Sequence, residues 1–131
     1  MIFVDSGAWF ASVVEDDIDH AAAARWLAEN NDQLITTDFV ADETLTLLRA
    51  RGEYRRAIEM GTIFFESKEV VIHFLSEQDI RDTWKIFSLF ADKDWSFTDC
   101  SSRLICERFG IRQAFAFDRH FKQFGTVSVV P

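Results

Sequence analysis

The chain has 131 residues, of which 48% are hydrophobic and 15% aromatic. This length suits one domain with a sizeable buried core, so we expect a single domain over residues 1–131. The formal net charge is −8, which argues against broad electrostatic binding of nucleic acid. No apolar run approaches the ~20 residues of a membrane span, and Asp5 interrupts the N-terminal apolar run, so no signal peptide is expected.

The two cysteines, Cys100 and Cys106, lie six positions apart on one predicted helix. They point to different sides of that helix and cannot form a local disulfide. Two cysteines without metal-ligand spacing suit a reducing compartment, so we expect a cytoplasmic protein.

The N-terminal half alternates short apolar strands with helices. Strands are predicted at residues 2–4 and 34–36, and helices at 6–14, 21–30 and 38–51. Asp19 and Asp38 are the expected N-caps of the second and third helices. The next helix carries Tyr54, Ile58, Gly61 and Phe65 at spacings of three and four, and its Tyr54, Phe64 and Phe65 face is expected to belong to the core.

The C-terminal half continues the alternation. A strand over 70–75 leads to Ser76 and Asp79, which resemble a capping box, and the helix that follows carries Ile80, Trp84 and Phe87 on one side. Thr98 is the expected cap of a helix over 99–109. A strand over 113–117, a turn or short helix over 119–124 and a last strand over 126–130 complete the chain. This order predicts an α/β fold, a three-layer α/β/α sandwich with a mostly parallel central sheet.

Four acidic residues fall where such a fold would bring them together. Asp5 and Asp118 end apolar strands, Glu43 lies in the first turns of a helix, and Asp99 opens another. Ligands of open parallel sheets bind outside the carboxyl ends of the strands. Carboxylates gathered there repel one another, so a proton or a cation must offset their charge, and a hard divalent ion with oxygen ligands suits them. Each acid taken alone also has a structural explanation, as a turn residue or as part of a helix first turn.

Four segments resemble the motifs of the PIN-domain family, across nearly the full length of the chain. They are Met1–Ser6, Thr37–Glu43, Trp95–Cys100 and Phe117–Phe121. Chain length and motif spacing are most similar to the VapC-type toxin ribonucleases. The resemblance implies a magnesium- or manganese-dependent endoribonuclease that pairs with a small antitoxin protein and forms a homodimer.

The same resemblance assigns roles to individual residues. Asp5 and Asp99 would be the principal ligands of Mg²⁺ or Mn²⁺, and Glu43 and Asp118 would complete the catalytic set. Ser6 and Thr98 would hydrogen-bond the carboxylates or water. Asp42 stands beside Glu43, and because adjacent helical positions point about 100° apart, only one of the two can face the site. Only the resemblance chooses Glu43.

Basic residues that could contact RNA phosphates form a second set of candidates, namely Arg49, Arg51, Arg55, Arg56 and His120. The arginines have an equally ordinary interpretation as solvated helix surface paired with Glu53 and Glu59. His73 falls inside an apolar strand and is expected to be a hydrogen-bonded core histidine.

Other functional classes fit less well. A haloacid-dehalogenase-type phosphatase needs a second Asp two residues after the first, where this chain has Gly7. A receiver domain needs paired acids after its first strand, which are absent. A PIN-like scaffold without catalytic activity, or a PIN nuclease that processes RNA without an antitoxin, remain open alternatives.

Overall fold

Five parallel strands form the sheet in the computed structural model, which describes residues 1–131. They are β1 (Ile2–Val4), β2 (Leu34–Thr37), β3 (Val70–His73), β4 (Gln113–Phe115) and β5 (Ser128–Val130), in the spatial order β3-β2-β1-β4-β5. Ile2 is in register with Leu34 of β2 on one side and with Gln113 of β4 on the other. The strand order reverses beside β1, and this switch between β1 and β4 is where open α/β sheets bind ligands.

Seven helices connect the strands. They are α1 (Ser6–Val13), α2 (His20–Glu29), α3 (Asp38–Ala50), α4 (Tyr54–Glu66), α5 (Glu77–Leu89), α6 (Phe97–Arg108) and α7 (Arg119–Gln123). The predicted α/β class is therefore confirmed, and every strand pair is parallel rather than most of them. No helix combines the length and the apolar character that crossing a membrane requires.

The core lies between the sheet and its helices. It comprises 27 buried hydrophobic residues, and the largest fully buried side chains include Phe3 of β1, Phe115 of β4 and Phe121 of α7. The Phe3 and Phe121 rings stack with centroids 6.1 Å apart. Short α7 is thereby anchored beneath the carboxyl end of the sheet, which fixes the residues next to Phe121.

Two helix caps differ from the prediction. Thr37, not Asp38, caps α3, and its hydroxyl accepts the Val40 N–H at 3.2 Å. Asp38 is the first helical residue, and its carboxylate accepts the Leu75 N–H at 2.9 Å. Ser96, not Thr98, caps α6. A cap needs extended backbone geometry one residue before the helix, which propensity alone does not locate to the residue.

The predicted N-cap position of α2 is correct, but its chemistry is not that of a side-chain cap. Asp19 occupies the N-cap, yet its carboxylate accepts no hydrogen bond from the helix. Its own backbone N–H donates to Asp17 Oδ1 at 2.9 Å instead.

The expected core face of α4 is wrong for two of its three residues. Tyr54 and Phe65 are 64% and 53% exposed, whereas Phe64 is buried together with Ala57 and Met60. The spacing of three and four identified one apolar stripe of α4, but that stripe is exposed. A neighbouring stripe, formed by residues 57, 60 and 64, packs against α3 and the sheet. The apolar side of α5, with Ile80, Trp84 and Phe87, is likewise partly exposed.

Candidate active site

Asp5 and Asp118 lie at the carboxyl edge of the sheet, on either side of the switch between β1 and β4. Asp5 follows β1 directly, and its backbone N–H donates to the Phe115 carbonyl of β4 at 3.1 Å. Asp118 follows β4 and is the N-cap of α7, where its Oδ1 accepts the His120 N–H at 2.9 Å. Both strand-end acids therefore take their positions from backbone contacts.

Asp99 reaches the same edge from the first turn of α6. Its backbone N–H donates to Ser96 Oγ, and its own Oδ2 accepts the Ser96 N–H, both at 3.0 Å. This reciprocal capping box holds the carboxylate at the start of the helix. The second oxygen, Oδ1, has no hydrogen-bond partner in the protein.

Glu43, rather than its neighbour Asp42, turns toward the other acids. The Ser6 hydroxyl, at the start of α1, donates to Glu43 Oε1. Asp42 is exposed, and its nearest polar partner is the Thr46 hydroxyl at 3.5 Å. The structure thus shows which of these two side chains lies toward the other acids, a choice that the sequence without the resemblance left open. Thr98 lines a groove next to Glu43 but makes no side-chain hydrogen bond to an acid.

The acids influence one another electrostatically, most clearly at Asp5. The pKa of this carboxyl is raised from 3.8 to about 7, chiefly by burial and also by the charges of Asp99, Glu43 and Asp118, against a lowering by the Ser6 backbone N–H. The residue is only 4% exposed. A buried carboxyl beside three others needs a proton or a cation, which is the condition that a metal site relieves.

The donor set fits a hard divalent ion. Oxygen atoms of carboxylates are the ligands that Mg²⁺ and Mn²⁺ prefer, and the Asp99 oxygen without a hydrogen bond is available to one. Asp99, Asp118 and His120 bring ligand atoms within 4.8 Å of one another. Asp5, which the resemblance makes a principal ligand, lies outside this tightest group but within electrostatic reach of Asp99.

His120 belongs to the acidic cluster, although its sequence position suggested only a phosphate contact. Its side chain is 15% exposed, with Nδ1 2.8 Å from Asp99 Oδ2 and 3.2 Å from Asp118 Oδ1. Its Nε2 lies 3.0 Å from the exposed Asp94. In the sequence, the indication of this contact was that His120 lies two residues after Asp118, at the start of a predicted turn or short helix.

The arginines predicted as RNA contacts are not brought to the acidic cluster by ion pairs. Arg55 pairs with Glu59 at 3.1 Å, and Arg56 pairs with Glu15 at 3.4 Å. The Arg51 guanidinium lies over the Phe10 ring, 6.0 Å from its centroid. Their contribution to RNA binding stays a prediction.

A groove of about 600 Å³ lies between the start of α6 and the outer side of α3, and of the four acids only Glu43 lines it, together with Asp42. Phe39 and Phe97 form one wall, with ring centroids 6.3 Å apart, and Glu43 and Thr98 lie beside them. The site therefore combines carboxylates with aromatic surface on which a nucleobase could stack.

The chain matches a known protein family. The profile of the PIN domain matches residues 2–127. The chain belongs to the PIN-domain family. In sequence it is similar to the 23S rRNA-specific endonuclease VapC20 of Mycobacterium tuberculosis, strains CDC 1551 / Oshkosh and H37Rv. Identity is 31% over 131 residues, covering 100% of this chain and 99% of the relative.

The chain is also similar to solved structures. The crystal structure of M. tuberculosis VapC20, described as a sarcin–ricin loop cleaving toxin, superposes with a TM-score of 0.94 at 30% identity over 100% of both chains. PAE2754 from Pyrobaculum aerophilum has a TM-score of 0.65 at 14% identity, covering 98% of this chain and 88% of its own. FitAcB from Neisseria gonorrhoeae has a TM-score of 0.67 at 9% identity, covering 100% and 97%. The last two share the fold alone.

Proposed function

We propose that this protein is a magnesium- or manganese-dependent endoribonuclease and the toxin of a toxin–antitoxin pair. The observation that carries the proposal is the convergence of Asp5, Glu43, Asp99 and Asp118 at one edge of the sheet, with the pKa of Asp5 raised by burial and by its neighbours. Full-length similarity to an RNA endonuclease supports the same conclusion. We further propose that residues 1–131 act as one domain and that the protein works in the cytoplasm.

The acids would divide the work of holding the reacting groups. Asp5 and Asp99 would bind the metal directly, and Glu43 and Asp118 would bind it through water or orient the attacking water. A bound divalent ion would supply a water of lowered pKa and offset charge on the phosphorane-like transition state. Ser6, through its bond to Glu43, keeps that carboxylate turned into the site. Thr98 would contact water or RNA from the adjoining groove.

The substrate class we propose is a structured ribosomal RNA, by analogy with the relative that acts on 23S rRNA. The acidity of the chain makes diffuse phosphate attraction weak, so selectivity would come from the shape of the groove and from stacking on its aromatic wall. Incubation with intact ribosomes, total tRNA and a messenger RNA, followed by mapping of new 5′ ends, tests this. A single cut in 23S rRNA is expected. Cleavage confined to tRNA or messenger RNA would contradict the substrate but not the nuclease.

The catalytic assignment is tested with a matched pair on α3. Glu43→Gln should lower the cleavage rate by roughly 100-fold or more, because the carboxylate bonds Ser6 and faces the other acids. Asp42→Asn, at the exposed side of the groove, should change the rate by far less. Asp5→Asn should abolish cleavage while retaining the circular dichroism spectrum. Cleavage that persists in EDTA, or an Asp5→Asn variant as fast as wild type, would contradict the proposal and favour a metal-independent contaminant. No cleavage by the wild type with Mg²⁺ or Mn²⁺ would favour a silent binding module.

Partner binding is proposed for two apolar surfaces. A groove of about 700 Å³ between α3 and α4, with Ile58 and Phe65 on its rim, would receive the antitoxin, and the exposed side of α5 around Trp84 would form a homodimer. Ile58→Glu should weaken co-purification with the antitoxin, and Trp84→Glu should shift the mass measured by light scattering toward the monomer. The reverse pattern would exchange the two assignments.

An antitoxin could inhibit by placing an arginine among the four acids, which would exclude metal and substrate together. Crystals of the complex soaked in manganese test this. A fully occupied metal site with the acids free of the antitoxin would contradict it.

A further inference from the structure

We propose that His120 is a positioning residue, which holds Asp99 so that one carboxylate oxygen faces the metal. The inference rests on the proposed metal-dependent function. It assigns His120 a role different from the phosphate contact that its sequence position suggested.

The two oxygens of Asp99 have unequal surroundings. Oδ2 accepts the Ser96 N–H at 3.0 Å and lies 2.8 Å from His120 Nδ1, so both polar contacts fall on the same atom. Oδ1 makes no hydrogen bond. A carboxylate whose rotation is fixed by two contacts on one oxygen presents the other in a constant direction, which is how outer contacts orient metal ligands.

Both nitrogens of His120 are engaged by carboxylates. Nδ1 faces Asp99 and Asp118, and Nε2 lies 3.0 Å from Asp94 Oδ1. The other oxygen of Asp94 accepts from Arg119 at 2.7 Å. With its side chain 15% exposed and both nitrogens facing carboxylates, the imidazole is placed to orient Asp99 rather than to reach a phosphate.

The backbone of His120 is held from both sides. Its N–H donates to Asp118 Oδ1 at 2.9 Å, and the next residue, Phe121, is fully buried against Phe3 and Phe124. The ring therefore cannot leave Asp99 by a shift of α7 without removing Phe121 from the core. Helix α7 carries a fixed donor to the edge of the site.

The experiment measures Mn²⁺ binding to the full chain without RNA, by calorimetry and by electron paramagnetic resonance. His120→Asn keeps a donor near the position of Nδ1, whereas His120→Gln places its amide near Nε2 and His120→Ala has neither. We expect Mn²⁺ affinity to fall roughly 10- to 100-fold in His120→Ala and His120→Gln and to stay close to wild type in His120→Asn. Rescue by Asn but not Gln is a pattern that general loosening of α7 would not produce.

Several results would overturn the inference. Equal affinity in wild type and His120→Gln would show that Asp99 needs no orienting contact. Tighter binding in His120→Ala would show that the imidazole competes with the ion, and nitrogen coupling to Mn²⁺ in pulsed spectra of the wild type would make His120 a ligand. If His120→Ala does not fold, the Asn and Gln variants alone decide. Absence of Mn²⁺ binding to the wild type would overturn the proposed function as well, and so is distinguishable from failure of the positioning role.

Discussion

Helices α5 and α6 begin with the same capping motif, but the aspartates of the two motifs have different partners. Ser76 and Asp79 at the start of α5 form a reciprocal capping box, and so do Ser96 and Asp99 at the start of α6. Both aspartates are buried, at 3% and 7% exposure. Up to this level of description the two sites are equivalent.

Each aspartate also contacts a histidine at 2.8 Å, His73 for Asp79 and His120 for Asp99, but only Asp79 contacts an arginine. Asp79 lies 2.8 Å from His73 Nε2 and contacts the Arg108 guanidinium, which also bonds Asp82 at 2.6 Å. Burial alone would raise the pKa of Asp79, but the Ser76 N–H, the Ser76 hydroxyl and His73 together lower it below the ordinary value. No arginine or lysine forms an ion pair with Asp99.

No arginine or lysine pairs with Glu43, Asp99 or Asp118 at the acidic edge of the sheet, and Asp5 lies buried beside these acids. Its pKa rises to about 7, while that of Asp79 falls. A buried carboxylate with its own cation can stay charged, whereas buried carboxylates without one need a proton or a bound cation. The two capping-box aspartates therefore differ in their cationic partners, not in burial or in local motif.

The largest effects are expected when the two capping-box aspartates, Asp99 and Asp79, are each replaced by asparagine. Asp99→Asn should lower RNA cleavage by at least ~100-fold, because a metal ligand is lost, and should leave urea unfolding nearly unchanged. Asp79→Asn should retain cleavage within a few-fold but lower the free energy of unfolding by about 1–3 kcal/mol, because Arg108 and His73 lose a charged acceptor. Similar effects of both variants on cleavage would remove the distinction.

The pH dependence of stability should also have opposite sign at the two sites. In EDTA, the folded protein retains the Asp5 proton up to about pH 7, whereas the unfolded chain releases it near pH 3.8. The free energy of unfolding should therefore fall by roughly 2–4 kcal/mol as the pH rises from 3.8 to about 7. Asp79, with a lowered folded pKa, contributes stability that is lost as pH falls below about 4. Urea titrations from pH 3 to 8 check both limbs.

Single variants show which residue causes each part of the pH dependence of stability. Asp5→Asn should flatten the loss of stability toward neutral pH, and Asp79→Asn should reduce the loss in acid. An Asp5→Asn profile parallel to the wild type would mean that Asp5 titrates normally.

Removing the cation of the neutralised site should have a smaller effect. Arg108→Met should lower the free energy of unfolding by about 1–2 kcal/mol, less than for a fully buried pair, because the Arg108 side chain is 36% exposed. A double-mutant cycle with Asp79→Asn measures the coupling. Additive effects would show that the contact between the two residues contributes nothing.

The smallest effect is expected for an exposed ion pair near the acidic cluster. Arg119 and Asp94 are 72% and 60% exposed and lie 2.7 Å apart. Arg119→Gln should leave the urea midpoint of unfolding unchanged within error, since solvent and salt screen such pairs. A clear destabilisation would show that this loop is held more tightly than its exposure indicates.

Local patterns were sufficient for the strands, most helices and the capping box at Ser76. Residues 2–4 and 114–117 are short apolar runs typical of buried strands, and strand–helix alternation allows few arrangements besides a parallel sheet. The strand-end and helix-start positions of Asp5, Asp99 and Asp118 followed from the same reasoning. The outward faces of α4 and α5 did not, because spacing identifies an apolar stripe without saying whether the partner is the sheet or solvent.

The sequence by itself therefore determined the fold class and the acids that the fold gathers, since both depend on the order and periodicity of residues along the chain. Only the tertiary structure decided that Glu43 faces the site while Asp42 does not, that His120 contacts Asp99, and that Asp79 is neutralised by Arg108. These outcomes join residues 21 to 37 positions apart, across different helices. The charge of a buried carboxylate depends on such distant partners, which no local pattern specifies.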